Sequence, residues 1–110
     1  MKLVTFVEPY YRSERLGLWI ENKIIDLNYA YGRMLKDQGD DYPEGFADAY
    51  TPSNMTSFLQ GGSKCMSAAR ETENFVKSTK NLQGPNEEKA AFDISQVRLK
   101  APIPRPGKSN

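Results

Sequence analysis

The chain opens on a short β-forming run. Leu3, Val4, Thr5, Phe6 and Val7 predict a strand over 2–7, because branched and aromatic side chains suit a pleated, half-buried surface. Residues 8–14 are polar and tyrosine-bearing and suit a hairpin loop. Residues 15–20 predict a second strand. Successive strand side chains alternate, so Leu16, Leu18 and Ile20 share one face while Gly17 and Trp19 take the other. A tight turn at 21–23, with Asn22 suited to positive φ, returns the chain as a third strand over 23–27. The N-terminus therefore reads as a three-stranded antiparallel meander.

The period then changes. Leu27, Ala30, Tyr31, Met34 and Leu35 recur at helical spacing. Either Asp26 or Asn28 suits the cap, since both side chains accept hydrogen bonds from first-turn N–H groups. The helix should end near Gln38-Gly39. A loop over 40–45 and a short helix over 44–50 follow. Thr51-Pro52 reads as a helix start, with proline where its missing N–H costs nothing. Met55, Phe58 and Leu59 form that helix's inner face, and Gly61-Gly62 ends it. Ser63 suits the cap of the next helix, over 64–80. Its inner stripe is Cys65, Ala68, Ala69, Thr72, Phe75, Val76 and Thr79. Residues 81–91, with Gly84-Pro85, read as a mobile loop. Two short strands, at 93–94 and 97–100, precede a proline-rich end.

These elements make an α+β domain: a small antiparallel sheet, the meander plus a short C-terminal strand, packed on one side by three to four helices. Its expected core is Leu3, Phe6, Leu18, Ile20, Ile25, Leu35, Phe58, Leu59, Phe75 and Val76. A length of 110 residues allows one domain at most.

Composition narrows function mainly by exclusion. With 38% hydrophobic and 26% charged residues and a net charge of +1, the chain is ordinary and globular. No strong field favours nucleic acid or an anionic membrane. No apolar run approaches the ~18 residues of a membrane span, and the expected compartment is the cytoplasm. There is no histidine, which removes the commonest general base and zinc ligand. The single cysteine, Cys65, excludes an internal disulfide.

Each candidate for chemistry has a plainer reading. Cys65 stands near a helix start, where a thiol pKa is lowered, but its register with Ala69 and Thr72 makes it a small core residue. Gly61-Gly62-Ser63-Lys64 lacks the remaining glycine and hydroxyl of a phosphate loop and reads as a stop and start between helices. Glu71 and Glu73 stand about 200° apart on a helix, too far round to clamp one metal. Asp37, Asp40 and Asp41 lack the ligand alternation of a calcium loop and read as a solvated turn. The six tyrosines suit either an interface or packing within the domain. Pro102, Pro104 and Pro106 have a spacing of two, where groove-binding proline ligands use three. That leaves a tail or an interdomain linker.

Four segments taken in order bear on that choice: MKLVTF, RLGLWIENKIIDLNYAYGRML, PSNMTSFLQGG and VRLKAPIPRPGK. Together they cover nearly the whole chain and resemble the N-terminal portion of the fumarylacetoacetate hydrolase family, in particular its 2-hydroxyhepta-2,4-diene-1,7-dioate isomerases and acylpyruvate hydrolases. The resemblance implies an N-terminal domain, 1–100, and a linker, 101–110, in which Pro104, Arg105, Pro106, Gly107 and Lys108 lead into a catalytic domain of the same polypeptide. That domain is expected to supply an Asn-Tyr, a His-x-x-Glu and three acidic ligands for Mg²⁺ or Mn²⁺. There the metal polarises a β-keto acid and the His-Glu pair activates water for carbon–carbon cleavage.

None of those catalytic or metal residues maps onto this chain. The resemblance therefore implies no catalytic, cofactor-binding or metal residue here, and a parent enzyme that hydrolyses, isomerises or decarboxylates acylpyruvate-type acids. The domain's partner is then its own catalytic domain. A lone copy, with the covered face exposed, is expected to be able to form a homodimer. The rival expectation is a free-standing protein-interaction module that uses its surface tyrosines and proline-rich tail.

Overall fold

Glu8 organises the first turn of the chain in a computed structural model, which describes residues 1–100. Its backbone N–H donates to Ser13 O at 3.1 Å, and Arg12 N–H returns to Glu8 O at 3.1 Å. The closed loop joins β1 (Leu3–Val7) to β2 (Glu14–Ile20) as an antiparallel hairpin. The next turn joins β2 to β3 (Lys23–Asp26) with Gly17 opposite Asp26. Glu21, not the expected Asn22, takes the positive φ, at 54°. Trp19 Nε1–H donates to Glu21 O at 3.0 Å, which holds the turn in that form.

Asp26 ends β3 and caps α1 (Leu27–Asp37), accepting from Tyr29 N–H at 3.2 Å. Of the two expected caps it is Asp26 that serves. Asn28 is buried and bonds Asp48 Oδ1 and Thr51 O instead, tying α1 to α2 (Pro43–Tyr50). The helix ends where expected. Gly39 takes φ 90° and donates to Lys36 O, while Asp40 N–H reaches Leu35 O, the paired closure that a left-handed residue after a helix permits.

Helix α3 (Met55–Gln60) begins later than Thr51-Pro52 predicts. Thr51 is fully buried and closes α2 instead, with both N–H and Oγ1–H donating to Ala47 O. Asn54 caps α3, accepting from Ser57 N–H at 2.9 Å. Phe58 is buried as expected, but Leu59 is 57% exposed, because a helix this short turns only one side chain fully inward. Helix α4 (Gly62–Lys77) follows at once, with Gly61 rather than Ser63 at its N-cap. Cys65, Ala68, Ala69 and Thr72 form its buried stripe.

The segment 81–91, expected to be a mobile loop, is packed over 81–90, and Ala91 begins a strand. Gly84, Pro85 and Ala90 are buried. Lys36 Nζ donates to Pro85 O at 2.7 Å, and Arg33 Nε–H to Gln83 O at 3.3 Å. Two short strands then flank the meander on opposite edges. β4 (Ala91–Asp93) pairs with β3, and β5 (Arg98–Leu99) pairs with β1, for a sheet order of β4-β3-β2-β1-β5. The expected strand at 93–94 stops at Asp93, which caps a 3₁₀ turn over Ile94–Gln96.

The fold is α+β, a small antiparallel sheet packed by four helices. Leu16, Leu18, Ile25, Leu27, Ala30, Phe58, Cys65 and Ala69 form the core on the helical face. The other face of the sheet carries an apolar cluster as well. Phe6, Ile24 and Phe92 form a second cluster, with Val4, Trp19, Ile94, Val97 and Leu99 packed against it. Phe6 belongs there, its ring 5.8 Å from that of Phe92. Gly17 makes this possible: a Cβ at Gly17 would lie 2.9 Å from both Phe6 and Ile24 side chains. Of the other expected core residues, Leu3, Ile20, Phe75 and Val76 are partly buried. The linker residues Pro104, Arg105, Pro106, Gly107 and Lys108 lie outside the described residues.

Candidate functional site

A cleft of about 460 Å³ opens between the Glu8 loop, the start of β2, the junction of β3 with α1, and the segment at 88–92. Strand register builds its floor. Gly17 faces Asp26 across the β2–β3 pair, so Arg15, two residues earlier on the same face, is Asp26's diagonal neighbour and within reach of it. Arg15 Nε–H donates to Asp26 Oδ2 at 2.6 Å and Nη2–H to Oδ1 at 3.1 Å. The guanidinium lies over the Tyr29 ring, 4.2 Å from its centroid.

The Asp26 side chain is 2% exposed and that of Arg15 18%. Burial raises the Asp26 carboxyl above its ordinary value, while the Arg15 fork and Tyr29 N–H work against it. Burial works to lower the Arg15 pKa, but the bond and charge of Asp26 outweigh it and raise the value. The bidentate geometry is that of an ion pair. Burial also raises the Tyr29 hydroxyl.

Glu8 forms one wall. Its residue is 7% exposed, and its carboxylate faces into its own loop. Oε1 accepts from Tyr10 N–H at 2.8 Å; Oε2 accepts from Tyr11 N–H at 2.7 Å and from Ser13 N–H and Oγ–H. Burial pushes the carboxyl up, and these donors outweigh it, holding Glu8 below its ordinary value. The loop so fixed turns Tyr10 and Tyr11 outward, 69% and 89% exposed. Glu88 and Lys89 complete the opposite rim, with Lys89 Nζ 5.3 Å from the Phe92 ring centroid.

The candidates singled out by sequence lie elsewhere. Cys65 is buried in the core, 3% exposed. Gly61 to Lys64 is an ordinary helix junction. Glu73 pairs at 3.9 Å with Lys77 on its own helix, and Asp40 accepts from Tyr42 N–H to hold a turn. The tyrosines divide: Tyr31 is buried, Tyr29 and Tyr50 are half-buried, and Tyr10, Tyr11 and Tyr42 are exposed. Sequence reasoning missed Glu8 and the Arg15–Asp26 pair. Alternation puts Arg15 on the face of Gly17 and Trp19, but its partner is set by the β2–β3 register, which pairs Gly17 with Asp26.

Among the described residues no group of three or more His, Cys, Asp or Glu side chains stands close enough to hold a metal ion. No helix among them is long and apolar enough to cross a membrane. Comparison with protein-family models, curated proteins and solved structures yields no match.

Proposed function

We propose that this chain is a non-catalytic N-terminal domain of a metal-dependent enzyme of the fumarylacetoacetate hydrolase type, one that hydrolyses, isomerises or decarboxylates acylpyruvate-like acids. The observation that carries the reading is the ordered run of four segments, ending in VRLKAPIPRPGK, that resembles that family. In this reading the domain packs on the catalytic domain of the same cytoplasmic polypeptide, and Mg²⁺ or Mn²⁺ belongs to that second domain.

The chemistry of the cleft supports the reading. The Asp26 carboxylate is tied to the Arg15 guanidinium and to Tyr29 N–H, and the Glu8 carboxylate to three backbone N–H groups of its own loop, so each has a structural hydrogen-bonding role. Cys65 is the chain's sole thiol, and it is buried. The test is direct assay. The purified chain, with Mn²⁺ and an acylpyruvate, is expected to show no cleavage above the uncatalysed rate; robust turnover contradicts the proposal.

The second reading, a free-standing interaction module, draws on the exposure of Tyr10, Tyr11 and Tyr42. It predicts partner capture that is lost when Pro102, Pro104 and Pro106 are replaced together by alanine. Under the first reading those replacements leave capture of other proteins unchanged.

A further inference from the structure

We infer that the cleft between the Glu8 loop and the β3–α1 junction is a binding site for a small, singly charged carboxylate carried on a flat apolar body. The inference stands apart from the domain assignment, because it rests on which hydrogen-bonding groups in the cleft are already committed.

Each acid already has at least one structural partner. Asp26 accepts from both sides of the Arg15 fork and from Tyr29 N–H, and Glu8 accepts from three backbone N–H groups and a hydroxyl. Glu88 turns Oε1 back onto Asn86 N–H at 2.8 Å. The cations keep donors in reserve. Arg15 uses Nε and Nη2 on Asp26, and no bond from Nη1 is found among the described residues. No buried side-chain nitrogen or oxygen among them lacks a partner, so Nη1 is accessible to solvent, on a residue that lines the cleft. Lys89 Nζ has no acceptor among them either, its nearest aromatic face being Phe92.

A guanidinium held from behind by a carboxylate and from below by a ring is fixed before any ligand arrives, which reduces the ordering cost of binding. Its free edge matches a carboxylate, and charge-assisted bonds of this kind are among the stronger ones. Tyr10 and Tyr11 stand exposed at the mouth of the cleft, on a loop that Glu8 holds closed, and Tyr29 lies under the guanidinium. The volume, about 460 Å³, falls within the usual span of small-molecule sites, about 300–1,000 Å³. Three carboxylates against two cations line the cleft. That balance gives no net attraction for an anion, so recognition rests on the directed donors of Arg15 and Lys89, and a dianion such as a phosphate ester meets more repulsion than a monoanion.

The test is a titration of the full chain with benzoate, followed by backbone amide NMR, with benzamide and phenyl phosphate as comparison probes. Saturable shifts are expected at Tyr10, Tyr11, Tyr29 and Lys89. Benzamide, which lacks the charge, is expected to bind about tenfold or more weakly, and phenyl phosphate more weakly than benzoate. Lys89→Glu, an exposed change that leaves the fold intact, is expected to weaken benzoate about tenfold. Arg15→Lys serves as a second variant: it keeps the charge opposite Asp26 and removes the fork, and is expected to weaken benzoate while leaving the Leu18 and Phe58 amide positions unmoved. Absence of saturable shifts, equal binding of benzamide, tighter binding of phenyl phosphate, or indifference to Lys89→Glu overturns the inference.

Discussion

At the scale of single residues, two carboxylates hold the chain's first turns, and they respond to acid in opposite ways. Glu8 is held below 4.5 in the folded chain, so on acidification the unfolded chain takes up that proton first. Its stabilising contribution is present above about pH 5 and is lost as the pH falls through the folded value. Asp26 is raised by burial, and its contribution therefore weakens as pH rises through the folded value. Glu8→Gln is expected to be less stable than the parent at pH 7, with the gap closing as the pH falls below the ordinary glutamate range in urea unfolding. A gap that stays constant on acidification contradicts the role given to the Glu8 loop. Asp26→Asn keeps a capping acceptor and strands Arg15. It should cost about 3 kcal/mol, the low end for a broken buried pair because Arg15 reaches solvent. Asp26→Ala removes the cap as well and should cost about 1 kcal/mol more. Equal costs for the two variants would show that the cap contributes nothing. Asp26 was legible as a cap from its place before an amphipathic run. Its pairing with Arg15 depends on β2–β3 register, which one strand read alone does not reveal.

At the scale of elements, local signals were good guides wherever the backbone decided and poor ones where tertiary partners did. Gly39 ends α1 at the expected place because only a left-handed residue closes it, at φ 90°. Gly39→Ala should cost about 1–2 kcal/mol, the usual penalty of an L-residue in that region; a neutral result would mean that the closure is not strained. Thr51-Pro52 has the local signature of a helix start, yet Thr51 is fully buried and both its donors serve α2. Residues 81–91 misled for the same reason. Their polar composition suggests mobility, but Asp26 N–H donates to Ala90 O and Gly84 N–H to Glu88 O, each at 2.8 Å. In hydrogen exchange the Asp26 and Gly84 amides are expected to be protected alongside the central strand. Exchange at the unprotected rate would restore the mobile loop.

At the scale of the whole molecule, the α+β class and the helical-face core followed from periodicity: Leu16 and Leu18 alternate, and Cys65, Ala68, Ala69 and Thr72 recur at helical spacing. The second face escaped notice because its parts are far apart in sequence. Phe92 reaches Phe6 and Ile24 only through the late pairing of β4 with β3, and Gly17 leaves the room for it. Nothing in the cleft was legible as a site beforehand, since its donors are assembled from four separate segments. The proposed role has a different footing, a resemblance carried by four ordered segments. It makes a claim about the polypeptide to which the domain belongs. The most direct test is the nucleotide sequence of the natural reading frame past codon 110. The account predicts that the frame continues into an Asn-Tyr, then a His-x-x-Glu, then three spaced acidic residues. A stop codon immediately after Asn110 would contradict it.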